Sequence, residues 1–380
     1  MNNCCKYIAA FMLLSLILLS ACQQAPSDQI TSVTLPPDSV VQSEDNSTHI
    51  NLDIPVKSIN APDEQFTLKI DATVYYDNFG RAPSYKCLPM EFSDTESAAK
   101  VFFGDSYSTV QRSENRDTSD LSWPYKTALP WIETYVLPDV GSLEFTSSLG
   151  TIKGSGSSGM DIGSIPNIEK WQTTGDADGD GIASGMKRSR EECREQAQSF
   201  IDALGLNMLL VRTDVLDVTE FQCYRFYYAH NYDGIPSSIG VNSLTRNYSW
   251  GQSVGEYMTI YVCDAGIYKV DAMLYEIIET AEEQPLIGAQ DAATKLLEAA
   301  QVYPLPIERK TAEEFTIDSV SLVYLPQAVE GDGVDVIGDE RGGGLMRNMI
   351  PAWQFSTGYS SGEWSAIELY IDARTGEYLQ

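Results

Sequence analysis

The chain has 380 residues, with 25 lysines and arginines against 54 aspartates and glutamates and a formal net charge of −29. That balance excludes nucleic acid and bare anionic lipid as natural partners, since both are polyanions. Two histidines and seven scattered cysteines without a CxxC pattern offer no zinc framework and no HExxH helix.

After Lys6 comes the apolar run "YIAAFMLLSLILLSAC". It is shorter than the roughly 20 residues a bilayer-spanning helix needs and fits a signal-peptide core. It ends in Leu19-Ser20-Ala21-Cys22, which resembles the lipobox of bacterial lipoproteins. The resemblance implies a signal peptide over 1–21, lipid attachment (a palmitate-type diacyl anchor) at Cys22, and a place on the extracytoplasmic face of the cell membrane. Two acyl chains anchor a protein stably without a spanning helix. Residues 22–50 are polar, proline-containing and poor in aromatics, and read as a flexible tether. Beyond Cys22 remain Cys87, Cys193, Cys223 and Cys263. Cys193 falls on the apolar side of a helix, where a buried thiol is the expectation. A Cys223 to Cys263 bridge stays open, both residues lying on predicted strands of one module.

Over 51–110 a strand comes first: Phe66, Leu68, Ile70, Ala72 and Val74 alternate with polar residues. "FSDTESAAKVFFG" then predicts a short helix, capped by Ser93 or Asp94, with a stripe of Ala98, Val101 and Phe102 and a stop at Gly104. Residues 111–188 carry turn-forming, low-complexity stretches and predict an irregular connection. From Ser189 the pattern sharpens into an amphipathic helix: a capping box Ser189-x-x-Glu192, apolar Cys193, Ala197, Phe200, Ile201 and Leu204, and Gly205 as the stop. Strands follow to about residue 283. The same order, helix then strands, recurs over 284–380, with Ala292, Leu296, Leu297 and Ala300 on the helix stripe. "IYVCDAGIYKV" and "LYIDARTGEYL" match as strand, Asp-Ala turn and returning strand, the sign of a diverged repeat.

The string "IPAWQF…IELYIDARTGEYL" is similar to the end of PepSY-like modules and of extracytoplasmic regulators of a cell-wall-sensing histidine kinase of Gram-positive bacteria. With the lipobox, the whole resembles a group of uncharacterised lipoproteins of such bacteria. This implies an α+β fold, a helix packed on antiparallel sheet, in two PepSY-like repeats (189–283 and 284–380) behind an N-terminal strand-rich part. It also implies a non-enzymatic role, binding or regulating an envelope sensor or peptidase. The alternative is a glycan- or solute-binding lipoprotein stacking its ligand on Tyr224, Tyr227, Tyr228, Tyr257, Tyr261, Trp353 and Trp364. A hydrolase working through two facing carboxylates is a third reading.

Three motifs suggest chemistry their surroundings do not support. Gly358-Tyr359-Ser360-Ser361-Gly362 matches G-x-S-x-G, yet a strand pattern follows it and both histidines, His49 and His230, lie upstream, the latter in an "AHNYDG" turn. Gly154 to Gly159 matches G-x-G-x-x-G, but the following "MDIGSIP" makes no phosphate-binding helix, and a loop is expected there. Asp176, Asp178 and Asp180 begin a calcium loop and are candidate ligands. Lys187 stands where a bidentate acid should close the shell, with Glu191 and Glu192 as substitutes further on. A solvated acidic turn entering the helix is the preferred reading.

Overall fold

The computed structural model describes residues 40–42, 48–58, 61–115, 132–138, 140–147, 150–156, 171–173, 185–218, 221–239, 256–303, 314–328, 347–356 and 368–379. All fall within one unit, Leu35–Gln380.

In chain order the elements begin with β1 Val40–Gln42, β2 Thr48–Ser58, β3 Ala61–Tyr75, β4 Arg81–Ala82 and β5 Tyr85–Pro89. Helix α1, Thr95–Phe103, and a 3-10 turn precede β6 Gln111–Asn115, β7 Ile132–Leu137, β8 Gly141–Thr146, β9 Thr151–Ser155 and β10 Trp171–Thr173. Helix α2, Arg190–Ala203, leads to β11 Met208–Val218, β12 Phe221–Tyr232, β13 Ile235–Pro236, β14 Tyr257–Cys263, β15 Gly266–Met273, β16 Tyr275–Thr280 and β17 Gln284–Pro285. Helix α3, Ala289–Val302, is followed by β18 Glu314–Ala328, β19 Arg347–Ser356, β20 Glu368–Asp372 and β21 Tyr378–Leu379.

Two large sheets result. The ten-stranded one runs β10-β11-β12-β14-β15-β9-β8-β7-β6, with β13 on β12; the nine-stranded one runs β1-β2-β3-β18-β19-β20-β21, with β5 joining β19 to β16. Pairing between named strands is antiparallel except where β18 lies parallel to β3. The fold is thus α+β and mostly sheet.

Each helix forms for reasons visible in its residues. Asp94 caps α1, accepting from the Ser97 amide, and Gly104 ends it at φ 52°. The Ser189–Glu192 capping box opens α2 in both directions. Cys193, Ala197, Phe200 and Ile201 of α2 share one core with Ala98, Ala99 and Phe102 of α1 and with the inward residues of β12 and β14. Burying a side chain such as Phe200 contributes about 1.5–3 kcal/mol. In α3 the predicted Ala292, Leu296, Leu297 and Ala300 are all buried.

One construction appears in triplicate. Each helix precedes a four-stranded antiparallel meander: β6 to β9 after α1, β11-β12-β14-β15 after α2, β18 to β21 after α3. In each, the turn between the third and fourth strands grips the chain entering the helix. The Phe92 amide donates to Ser147 Oγ at 3.2 Å. The Lys187 and Arg188 amides donate to Asp264 Oδ1 at 2.9 and 3.0 Å. The Ile287 amide donates to the Ala373 carbonyl at 2.7 Å. A glycine at positive φ completes each turn: Gly150, Gly266 and Gly376. Gly266 lies against Gln196 and Gly376 against Lys295, side chains that stand equally far past their helix N-caps.

The expected irregular region 111–188 instead contains β6 to β10 among its described residues. The alternation there misleads because β7 turns Glu133, Tyr135 and Leu137 inward, leaving Ile132, Thr134 and Val136 half-buried. Gly154, expected in a loop, is a buried strand residue of β9; a Cβ there would come within 2.9 Å of both Leu143 and Phe102. The expected tether over 22–50 likewise ends early, since Val40–Gln42 pair with Thr48–Ile50. Nor does the expected boundary at 283 separate two sheets: β16 follows β15 directly yet joins the other sheet through β5.

Replacing Asp264 by alanine removes the acceptor for two amides at the mouth of α2. The expected loss is about 1 kcal/mol, below the roughly 1.5–3 kcal/mol of hydrogen bonds to a charged group because the carboxylate is exposed. Denaturant unfolding of Asp264→Ala beside wild type measures it; an unchanged midpoint refutes the grip.

Candidate functional site

Cys22, Asp176, Asp178 and Asp180 lie outside the described residues, as do Gly358 to Gly362 and Trp364. The next described stretch is 185–218. The Lys187 amide is bound to Asp264, Glu192 is engaged in the capping box, and Glu191 faces Arg194 at 3.4 Å. The two acids considered as late calcium ligands therefore serve the start of α2. Among the described residues no group of three or more His, Cys, Asp or Glu is placed to hold a metal. Tyr224, Tyr227, Tyr228, Tyr257, Tyr261 and Trp353 are between 1% and 8% exposed, so these rings are packed within the protein.

The structure instead draws attention to acids inside the protein. Asp214 on β11 is fully buried. Arg212 Nε donates to its Oδ1 at 2.8 Å, while Arg225 Nε and the Tyr227 hydroxyl each donate to Oδ2 at 3.0 Å. Both guanidinium groups also lie over the Tyr227 ring, about 5 Å from its centroid. Isolated in a low-dielectric interior the carboxylate would be strongly penalised; two cations and a phenol offset that cost.

Glu256, also fully buried, sits where the two sheets meet. Its carboxylate faces His230 Nδ1 at 2.9 Å and accepts from the Tyr232 hydroxyl at 2.6 Å and the Tyr275 amide at 2.8 Å. His230 and Tyr232 end β12; Tyr275 is the first residue of β16, where the chain enters the other sheet. Around them the rings of Tyr85, Tyr232 and Tyr324, from β5, β12 and β18, meet with centroids 5.0 to 5.2 Å apart. Ser238 ties in β18 through the Tyr324 carbonyl at 2.7 Å, and its own carbonyl takes the Glu256 amide at 3.1 Å. The Cys87 thiol lies beside Tyr232.

The protonation states follow from this packing. Burial pushes the His230 imidazole down, but the charge and hydrogen bond of Glu256 outweigh it, and the pKa is raised. For Cys87 burial, and then the negative charge of Glu256, push the thiol up to about 12. A neutral thiol is a poor nucleophile, so proximity of cysteine and histidine here gives no thiolate for catalysis. The four described cysteines are free thiols, all buried. Chemically the site is a charged hydrogen-bond hub that holds three stretches of chain.

Sequence reasoning missed this hub. The "AHNYDG" string suggests a surface turn for His230, whereas its side chain is 15% exposed and paired with Glu256. Nothing in the sequence marks Glu256 off from the other acids; its long apolar-aromatic neighbour "YMTIYVC" is the one usable signal.

No protein-family model matches the chain, and no curated protein does. Among solved structures, an uncharacterized protein from Eubacterium rectale is similar, with a TM-score of 0.53 and 17% identity, over 82% of this chain and 90% of that one. At that identity the likeness is one of fold.

Stability should carry the signature of the His230–Glu256 pair. Because the folded pKa is raised above the ordinary value of about 6.5, the contribution is complete below that pH and is lost as pH rises through the folded value. Thermal unfolding followed from about pH 6 to about pH 9 should lose that component, and Glu256→Gln should lack it. Glu256→Ala, which strands the imidazole and a phenol, should cost about 3–5 kcal/mol. Identical pH profiles for wild type and Glu256→Gln would disprove the coupling.

Proposed function

We propose that the protein is a lipid-anchored, extracytoplasmic binding protein, attached through diacylated Cys22, that binds or regulates another envelope protein, a sensor or a peptidase. In this reading residues 189–283 and 284–380 are two PepSY-like modules. The observation that carries it is the grip of the Asp-Ala turns on the chain entering the helix, at Asp264 for α2 and Ala373 for α3. The two turns act through different atoms, the carboxylate of Asp264 and the carbonyl of Ala373, and support the reading by where they meet the chain entering the second and third helices. A non-enzymatic role is favoured by the engagement of Asp214 and Glu256, whose oxygens are taken up by cations, phenols and an amide. Glycan stacking draws no support from the six buried rings of Tyr224, Tyr227, Tyr228, Tyr257, Tyr261 and Trp353.

Two measurements test the proposal. Labelled palmitate should enter the wild type and not Cys22→Ala; equal labelling refutes the anchor. Crosslinking in intact cells should recover an envelope sensor or peptidase, whereas recovery of glycan alone would overturn the regulatory role.

A further inference from the structure

An edge strand presents a row of main-chain donors and acceptors, which natural proteins shield by charge, proline or cover. β16 pairs with β5 on one side, and among the described residues no strand pairs with the other. The register passes from Ile277 opposite Cys87 to Glu279 opposite Lys86, leaving Ile278 without a cross-strand partner. Ile277 and Ile278 are 44% and 48% exposed, so two branched aliphatic side chains with strong strand preference stand in water.

The surroundings of this pair are acidic. Glu279 faces Lys86 at 3.1 Å and Glu283 faces Arg81 at 4.0 Å. Among the described residues Glu91, Glu276 and Glu282 take part in none of the ion pairs of this region, and the charge that acts on Glu276 is that of Glu91. Burial, and then the negative charge of Glu91, hold the Glu276 carboxyl above its ordinary range. A second copy of the chain would set these same glutamates against one another, on a protein whose net charge is already −29.

We propose that β16 is a docking edge for an extended segment of a partner polypeptide in which aliphatic residues alternate with lysine or arginine. The segment's main chain pairs with β16, its aliphatic side chains cover Ile277 and Ile278, and its cations meet Glu91, Glu276 and Glu282. This rests on the binding role proposed for the protein and gives the partner a chemistry.

The test titrates detergent-solubilised full-length protein with a short peptide alternating lysine and valine, beside the same peptide with glutamate for lysine. The basic peptide should bind and slow amide exchange over 276–280; the acidic one should not bind. The double variant Glu276→Lys, Ile278→Lys should unfold at the wild-type temperature and bind at least about tenfold more weakly. Absence of binding, undiminished binding to the variant, or protection elsewhere would overturn the docking edge. So would wild-type dimers that Ile278→Lys dissociates, since the occupant would then be a second copy. Peptide binding without a crosslinked partner in cells would refute the regulatory role alone, and a crosslinked partner without protection of β16 would refute the edge alone.

Discussion

A carboxylate deprived of water has to find its donors in the protein, and Glu256 finds them on two separated stretches of chain, His230 and Tyr232 at the end of β12 and Tyr275 at the start of β16, while its own amide reaches a third at Ser238. Its position ties the end of β12, the first residue of β16 and the segment around Ser238 into one node between the sheets. The tyrosines packed around it come from β5, β12 and β18, so both sheets share a polar node wrapped in aromatic rings. Asp214 solves the same problem within a single sheet, with arginines drawn from adjacent strands. An apolar core of similar volume could be as stable; what the buried charges add is a requirement for one register, because a slipped strand would leave an ion without a partner.

From that node the architecture extends by repetition. The first two helix-meander units meet edge to edge where β15 pairs with β9, which makes their eight strands one continuous surface with both helices on the same face. The third is lengthened on its other side by the N-terminal hairpin β2–β3, entering parallel to β18. Both joints hide strand edges that the separate units would expose. A scaffold assembled in this way is suited to holding a binding surface in fixed geometry, and this links the fold to the proposed role.

Much of this was legible in the sequence where local and tertiary preferences agree. The capping box at Ser189, the stripe of Ala292, Leu296, Leu297 and Ala300, and the alternation from Leu68 to Val74 all describe elements that exist. Reading failed where a buried position carries an unexpected residue. Glu133 faces inward on β7 because Arg112, Thr95 and Tyr135 bond its carboxylate, and the strand's period is thereby inverted to the eye. Gly154 is a small residue chosen by the approach of Phe102, although its neighbours suggest a flexible loop. Glu256 is hidden for a related reason: an acid becomes a structural hub only when residues distant in sequence converge on it, and one sequence carries no record of that convergence.

The parallel contact between β3 and β18 also fixes an order of events. A chain made from its N-terminus completes β3 long before β18 exists, and β9 similarly waits for β15. During that interval the β2–β3 hairpin holds an edge with no partner and an apolar face without its cover. Long-range pairing of this kind slows folding and lengthens exposure to misassembly. Until its C-terminal third arrives, the chain therefore carries open strand edges of the kind that invite mispairing.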